Sequence, residues 1–410
     1  MPQINKRLMP DFLLADDLSG ALDAAGAFYA AGRQVLVCLW RREMSASRHC
    51  DGSSPGGMVQ IEDLPEQPDL IVLTTESRND LRDIATEKVR RAVRFVRASG
   101  GRLLFKKIDS TMRGPVAAEL EALAKAMPGT RILFTPANPA VGRIVREGIL
   151  YIHGVPVAET EFARDPVSPV RESSIRRLLG DAAGGQVVIA DAETQADLEK
   201  AVSRMAKIDE NWIAVGSGAL ARAVAAHMAQ GDLSLAANDP EPAFNSMKRQ
   251  KIEAGPVLVV CGSAHSVNRG QAVRFAHERK AQVHELRHEG AAGAVAEAAA
   301  SLRAGRDAVL MAEAERGERN AVLANVTDAA AKLVELCGVR RVFVTGGETA
   351  FALCARLGIP ALEFVEEIEP GVSLSVGRMS GGPILLGIKP GGFGDEMTWM
   401  RVRERMRQVS

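Results

Sequence analysis

Lys106-Lys107-Ile108-Asp109-Ser110-Thr111-Met112-Arg113-Gly114 brings cations, one carboxylate and two hydroxyls into a single short segment. An apolar run ends there, and strand alternation puts Lys107 and Asp109 on one side. Such a set can bind an anion and take the proton from a hydroxyl. The plainer reading, Ser110 or Thr111 as N-cap of the next helix, can hold alongside it. Ala15-Asp16-Asp17-Leu18-Ser19-Gly20-Ala21 has the same character. Capping by Asp17 or Ser19 accounts for one acid, and two adjacent acids ask for more. Thr75-Glu76-Ser77-Arg78 adds an arginine whose planar fork suits a carboxylate if it faces the same ligand. Three glycine turns mark the second half: Cys261-Gly262-Ser263-Ala264-His265, Gly346-Gly347-Glu348-Thr349 and Gly391-Gly392-Phe393-Gly394-Asp395. Glycines let backbone approach a ligand closely, and helix N-termini favour phosphate, so the trio suits a nucleotide.

These segments need elements to hold them. Short β-branched runs (Phe12–Ala15, Gln34–Leu39, Leu70–Thr74, Leu103–Lys107, Arg131–Thr135, Val187–Ala190, Trp212–Val215) alternate with helical stretches. In one of these, Asp83–Ser99, Ile84, Val89, Val93 and Val96 share a face. Pro136–Arg143 follows a strand, Gly148–Thr160 reads as a hairpin or flap, and the prolines of Phe162–Val170 stiffen a loop. After a stretch without periodicity, containing Asn238-Asp239-Pro240-Glu241-Pro242, the rhythm restarts with strands at Pro256–Cys261, Gln282–Leu286, Ala308–Met311 and Arg341–Thr345. A short β-rich tail covers Ile384–Ile388. The expected fold is α/β, with two three-layer α/β/α domains, mostly parallel sheets and a ligand cleft between them. The domains are placed at residues 1–235 and 256–410, with 236–255 as linker.

Composition sets outer bounds. The 410 residues carry 51 basic and 51 acidic side chains, so no bulk positive surface is available for nucleic acid or membrane. Aromatics are 4%, too few for a protein built on stacking. Five scattered cysteines without a C-x-x-C pair, and an N-terminus unlike a signal peptide, suggest a cytoplasmic protein with reduced thiols.

Two letter patterns are discounted on context. His284-Glu285-Leu286-Arg287-His288 matches a zinc motif that requires a helix. Here it reads as strand, where the two histidines would stand on the order of 13 Å apart. No residue is read as a metal ligand. Gly216-Ser217-Gly218-Ala219-Leu220-Ala221 resembles a dinucleotide turn but lacks the second strand with an acidic end, so close strand-to-helix packing is preferred. No Gly-Lys dipeptide occurs, which excludes a P-loop.

Taken in order, the motifs at 15–21, 76–78, 106–114, 165–173, 346–349 and 391–394 resemble the four-carbon acid sugar kinase family over nearly the whole chain, from about Leu13 to about Glu396. The resemblance implies a sugar-acid-binding N-terminal domain and a nucleotide-binding C-terminal domain. It also implies ATP-dependent phosphorylation of the 4-hydroxyl of threonate, erythronate or a 3-oxo-tetronate, with Mg2+ bridging the phosphates. Carried onto this chain, Asp16, Arg78, Lys107, Ser110, Thr111 and Arg113 fall at the sugar-acid site, with Asp109 or Asp17 as the base. Ser263, Gly346, Gly347, Glu348, Thr349, Gly391 and Gly392 fall at the ATP site. Ala264-His265 departs from the small or hydroxyl residue common there. The expected partners are the two small molecules, with a homodimer as the candidate assembly. Two other classes are carried as alternatives: a dinucleotide-dependent oxidoreductase using the Gly216–Ala221 turn, and a sugar-acid-binding protein without turnover.

Overall fold

A computed structural model describes residues 9–39, 68–231, 252–262, 266–286, 291–312 and 319–409. The described residues fall into two compact units, one drawn from 9–39 and 68–231, the other from 252–409. Most of the expected linker, 236–251, lies outside the described residues.

The first unit runs β1 (Asp11–Ala15), α1 (Leu18–Ala30), β2 (Val35–Leu39), β3 (Leu70–Thr74), α2 (Arg82–Ala98), β4 (Arg102–Lys107), α3 (Val116–Ala126) and β5 (Arg131–Thr135). A small antiparallel sheet follows, β6 (Arg143–Arg146), β7 (Ile149–Ile152) and β8 (Val155–Pro156). The unit closes with α4 (Ile175–Leu179), β9 (Val187–Ile189), α5 (Gln195–Ile208), β10 (Trp212–Gly216) and α6 (Gly218–Gly231). The main sheet has the order β2-β3-β1-β4-β10-β5-β9, and all its pairings are parallel. β3 is buried along its whole length, as expected of a parallel sheet covered on both faces.

Register and handedness make the site. Ala15 lies level with Thr74 and Lys107, and Gly216 with Lys107 and Thr135. The loops that leave β1, β3, β4, β5 and β10 therefore start at one edge. The β1–α1–β2 crossover runs one way along the sheet, and β3–α2–β4 and β4–α3–β5 run the other. Right-handed crossovers in opposite directions put their helices on opposite faces. Helix contacts agree: α1 and α5 pack on α6, and α2 packs on α3. The crevice beyond the adjacent strands β1 and β4 is thus the switch point at which open α/β sheets take ligands.

The second unit comprises β11 (Leu258–Cys261), α7 (Ser266–Arg279), β12 (Gln282–Leu286), α8 (Ala291–Arg303), β13 (Ala308–Ala312), α9 (Arg319–Cys337), β14 (Arg341–Thr345), α10 (Gly347–Arg356), β15 (Ala361–Glu369), β16 (Val372–Met379), β17 (Gly382–Lys389) and α11 (Thr398–Gln408). Its strand order is β12-β13-β11-β14-β17-β16-β15. The first five are parallel, and β15-β16-β17 form an antiparallel meander. Cys261 is level with Thr345, and Thr345 with Lys389, so the turns after β11, β14 and β17 start at one edge. Phe275 and Phe343 meet Trp399 edge to face, at 6.1 and 6.0 Å, in the core.

Several elements escaped the sequence reading. β15 and β16 were not expected, although Val372, Leu374 and Val376 alternate with buried serines. The helices α5, which opens on a Thr194/Asp197 capping box, and α11 were also missed. The expected hairpin is a three-stranded sheet beginning earlier, at Arg143. On α2, Ile84 is 48% exposed, and Ala85 takes its place on the buried face.

Candidate active site

Arg78 is the centre of the first unit's edge. Its Nε and Nη2 donate to Asp16 at 2.9 and 2.8 Å, and its Nη1 and Nη2 donate to Asp17 at 2.7 Å each. Asp17 also caps α1, accepting from the Gly20 amide at 2.7 Å. A Cβ on residue 20 would stand 2.6 Å from that same Asp17 oxygen, so glycine leaves room for the carboxylate. Both acids therefore have work: one caps, and both grip Arg78. Burial pushes the Asp16 carboxyl up, but Arg78, supported by Lys106 and Lys107, overrides it and holds Asp16 below the ordinary aspartate value.

The β3 loop is held rigidly. The Ser77 and Arg78 amides both donate to the Asp16 carbonyl. Behind them lies a fully buried pair, Lys106 Nζ to Glu119 at 2.9 Å, with Ser77 Oγ donating to Glu119 and Thr75 sharing a hydrogen bond with Ser77. Glu76 adopts a left-handed backbone (φ 45°), and its Oε1 is buried without a hydrogen-bond partner. Burial and then Asp17 drive its carboxyl well above the ordinary glutamate value, with Arg78 opposing. Glu76 is thus driven towards its protonated form.

At the β4 tip, Arg113 clasps Asp109 through Nε at 2.8 Å and Nη2 at 3.2 Å, and Thr111 Oγ1 donates to the same carboxylate. Arg113 also reaches Asp165 at 3.4 Å. Burial raises Asp109, but Arg113 and Arg78 lower it further, leaving it well below the ordinary value. Lys107 Nζ stands 3.7 Å from Asp23 and donates to the Ile108 carbonyl. The capping expectation for Ser110 and Thr111 fails: the residue at the N-cap of α3 is Pro115, without a side-chain cap, because both hydroxyls turn into the cluster. Gly114 (φ 93°) lets this loop pass the β3 loop, since a Cβ there would lie 2.6 Å from the Arg78 carbonyl oxygen. Arg143, not anticipated as a site residue, donates to Ser110 Oγ, and Arg113 and Arg143 both lie over the Phe162 ring.

In the second unit, Gly346 (φ 101°) forms the N-cap of α10, and Gly347 and Glu348 begin its first turn. Thr349 is buried against Gly262, where any Cβ would collide with it. Ser263, with Ala264 and His265, lies outside the described residues. Lys389, also unanticipated, is fully buried at the end of β17. Its Nζ donates to Asn268 Oδ1 (3.0 Å) and to the carbonyls of Pro390 (3.1 Å), Gly391 (3.0 Å) and Phe393 (2.9 Å). The ammonium thereby shapes the Gly391-Gly392 turn from below. Burial brings it down to about 8, against a smaller lift from Cys261 and Glu369.

The discounted patterns behave as packing elements. His284 sits in strand β12, buried, with Nδ1 3.4 Å from Glu297, and His288 lies outside the described residues. Among the described residues, no group of three or more His, Cys, Asp or Glu side chains could hold a metal ion. At Gly216–Ala221 the turn is closed by neighbours: a Cβ on Gly216 would strike the Thr135 carbonyl, one on Gly218 the Asp23 carboxylate, and Ser217 donates to the Ala137 carbonyl. No described helix is long and apolar enough to cross a membrane.

Comparison with known proteins follows the same division. Residues 12–185 match the family described as a sugar-binding N-terminal domain, and residues 258–398 match a nucleotide-binding C-terminal domain. A D-threonate kinase of Bordetella bronchiseptica is 32% identical, covering 97% of this chain and 97% of its own length. A second D-threonate kinase, from Cupriavidus necator, is also 32% identical (94% of this chain, 95% of that one), and a 3-oxo-tetronate kinase of Methylobacterium radiotolerans is 30% identical (93% and 95%). Among solved structures, a Salmonella typhimurium protein superposes with a TM-score of 0.73 at 20% identity, over 97% of this chain and 100% of that one. That likeness bears on fold alone.

Proposed function

The chain belongs to the four-carbon acid sugar kinase family, and we propose from that premise that it transfers the γ-phosphoryl group of ATP to the 4-hydroxyl of a four-carbon sugar acid. Two relatives at 32% identity are D-threonate kinases, which supports D-threonate as the first acid to test, with erythronate and 3-oxo-tetronates beside it. The observation that carries the reading is the ionic cluster at the switch point, where Arg78, Asp16, Asp17, Asp109 and Arg113 come together from three strand tips. No requirement of the fold explains so many charges buried at one edge.

Phosphoryl transfer is largely positioning and charge stabilisation. In the proposal, Asp16, Arg78, Lys107, Ser110, Thr111 and Arg113 form the acceptor site, and Asp17 or Asp109 accepts the hydroxyl proton. Asp109, held well below the ordinary range, stays ionised and available as an acceptor, though a weak one. For the donor, the proposed residues are Ser263, Gly346, Gly347, Glu348, Thr349, Gly391 and Gly392. The α10 N-terminus and the Lys389-supported turn suit phosphate oxygens. The described carboxylates do not form a protein cage for Mg2+. The ion enters the proposal only as a companion of the ATP phosphates, which with water commonly complete its shell.

The test is ADP release with D- and L-threonate, D- and L-erythronate and 3-oxo-tetronates. Turnover with at least one acid is expected. Binding of an acid without ADP formation would reduce the protein to a sensor, and tight NADH binding without any ATP effect on melting would overturn the kinase reading.

A further inference from the structure

At the edge of the first unit, the described cations differ in one respect. Arg78 has Asp16 and Asp17, Arg113 has Asp109 and Asp165, Lys107 has Asp23, and Lys106 has Glu119. Among the described residues Arg143 has no carboxylate within ion-pair distance. Its guanidinium donates to a neutral group, Ser110 Oγ. Arginine does not shed its charge in proteins. A partly desolvated cation without a counter-ion is costly unless an anion joins it.

The surroundings are built to hold this cation still. The backbone of Arg143 exchanges two hydrogen bonds with Asn138, at 2.7 and 3.1 Å, which pins it to the loop after β5. Gly142 (φ 67°) makes the bend before it, where a Cβ would collide with the His153 ring. Phe162 covers the guanidinium, with Cζ 5.8 Å from the ring centroid. Arg113 lies over the same ring, but its edge is already engaged with Asp109. Burial, with Arg113 and Arg78 nearby, lowers the proton affinity of Arg143, while Asp109 and Asp23 act the other way. A planar fork with one neutral partner matches a carboxylate's two oxygens.

We propose that Arg143, with Ser110 beside it, takes the C1 carboxylate of the four-carbon acid, while Arg78 keeps its place in the acceptor site and orders Asp16 and Asp17 there. This rests on the sugar-acid reading above and assigns one of its binding contacts. It makes Arg143 a specificity-determining residue, selecting an acid over the corresponding uncharged polyol.

The experiment pairs D-threonate with threitol, its uncharged analogue, on wild type, Arg143→Met and Arg143→Lys. Calorimetric titration and ADP release are measured together. Loss of one charge-assisted contact predicts a fall of roughly 10- to 100-fold in the acid-over-threitol preference of Arg143→Met, with a smaller fall in Arg143→Lys. The KM for ATP should move much less. A preference that survives in Arg143→Met overturns the proposal and leaves the kinase reading standing, as does a rise in ATP KM that matches the loss for the acid. The converse is also separable. If wild type binds D-threonate but forms no ADP, and Arg143→Met loses that binding, phosphoryl transfer fails and the assignment of Arg143 stands. Absence of acid binding to wild type overturns both. A melting temperature of Arg143→Met close to wild type confirms that the comparison is made on folded protein.

Discussion

Replacing Arg78 by Met should destabilise the protein by an amount that depends strongly on pH. Asp16 is 1% and Asp17 8% exposed, and Arg78 donates four hydrogen bonds to them. Removing one member of a buried ion pair costs about 3–5 kcal/mol, because the partner charge remains behind. Lys106 and Lys107 still act on Asp16, which favours the lower figure of about 3 kcal/mol. For a domain of this size that corresponds to a drop of roughly 6–12 °C in Tm. In wild type the folded value of Asp16 lies below its unfolded value near 3.8, so its contribution is fully present above that and is lost as pH falls through the lower, folded value. Without Arg78, burial acts with far less opposition and the folded value moves up. The variant then carries a penalty that grows as pH rises through this raised value and vanishes once the carboxyl is protonated. The Tm gap between the two proteins should therefore be widest at pH 7 and narrow towards pH 4. Thermal melts at half-unit steps test this. A gap of constant size from pH 4 to 7 would show that the loss is one of packing and refute the electrostatic account.

Two further substitutions probe the two ligand sites. Asp109→Asn should lower kcat by about 100-fold or more while changing the KM for ATP by less than about 3-fold, the range for a removed general base; near-normal turnover would remove Asp109 from that role. Lys389→Met should raise the KM for ATP by about 10-fold, because one ammonium holds three carbonyls of the Pro390–Phe393 turn and the Asn268 side chain. Lys389 also carries a pH signature. Its folded value of about 8 lies below the ordinary 10.5, so the unfolded chain binds the extra proton between them, and wild-type stability gains from Lys389 as pH rises through that window. The difference between wild-type and Lys389→Met melts from pH 7.5 to 10 isolates this term, and a flat difference refutes it.

The residues that the sequence made legible share one property. Lys107 ends an apolar strand, and Asp16, Asp17, Arg78, Asp109 and Arg113 sit in the loops that follow such strands, so the end of each strand pointed to them. Arg143 follows β5 only after a 3-10 turn and itself begins a strand of a second sheet, so its place at the cluster depends on tertiary folding. Lys389 reads as the polar end of an apolar strand, and only the closed turn reveals what its ammonium holds. Glu76 belongs to the Thr75–Arg78 segment, but its left-handed backbone and orphaned oxygen carry no sequence signal. The β15 pattern was diluted by Glu363, Glu366 and Glu367 on a strand whose Leu362 and Phe364 are buried. His284-Glu285-Leu286-Arg287-His288 shows the converse, since its letters match a zinc motif while its described part, His284–Leu286, is extended, as its context predicts.

The level parallel register has a consequence for how the protein comes into being. Arg78 and Asp16 are 62 positions apart, and Arg143 and Ser110 are 33 apart, so the contacts that join one strand tip to another are long-range, unlike the Asp109–Arg113 pair within the β4 loop. Each must wait for a crossover to close, and loop closure is an entropic cost that precedes its reward. The acceptor site is therefore a late product of folding. On the proposed assignment, a fragment that ends before β5 and the Asn138–Arg143 bridge lacks the full set of cations for a sugar acid, and binding competence arrives together with the topology.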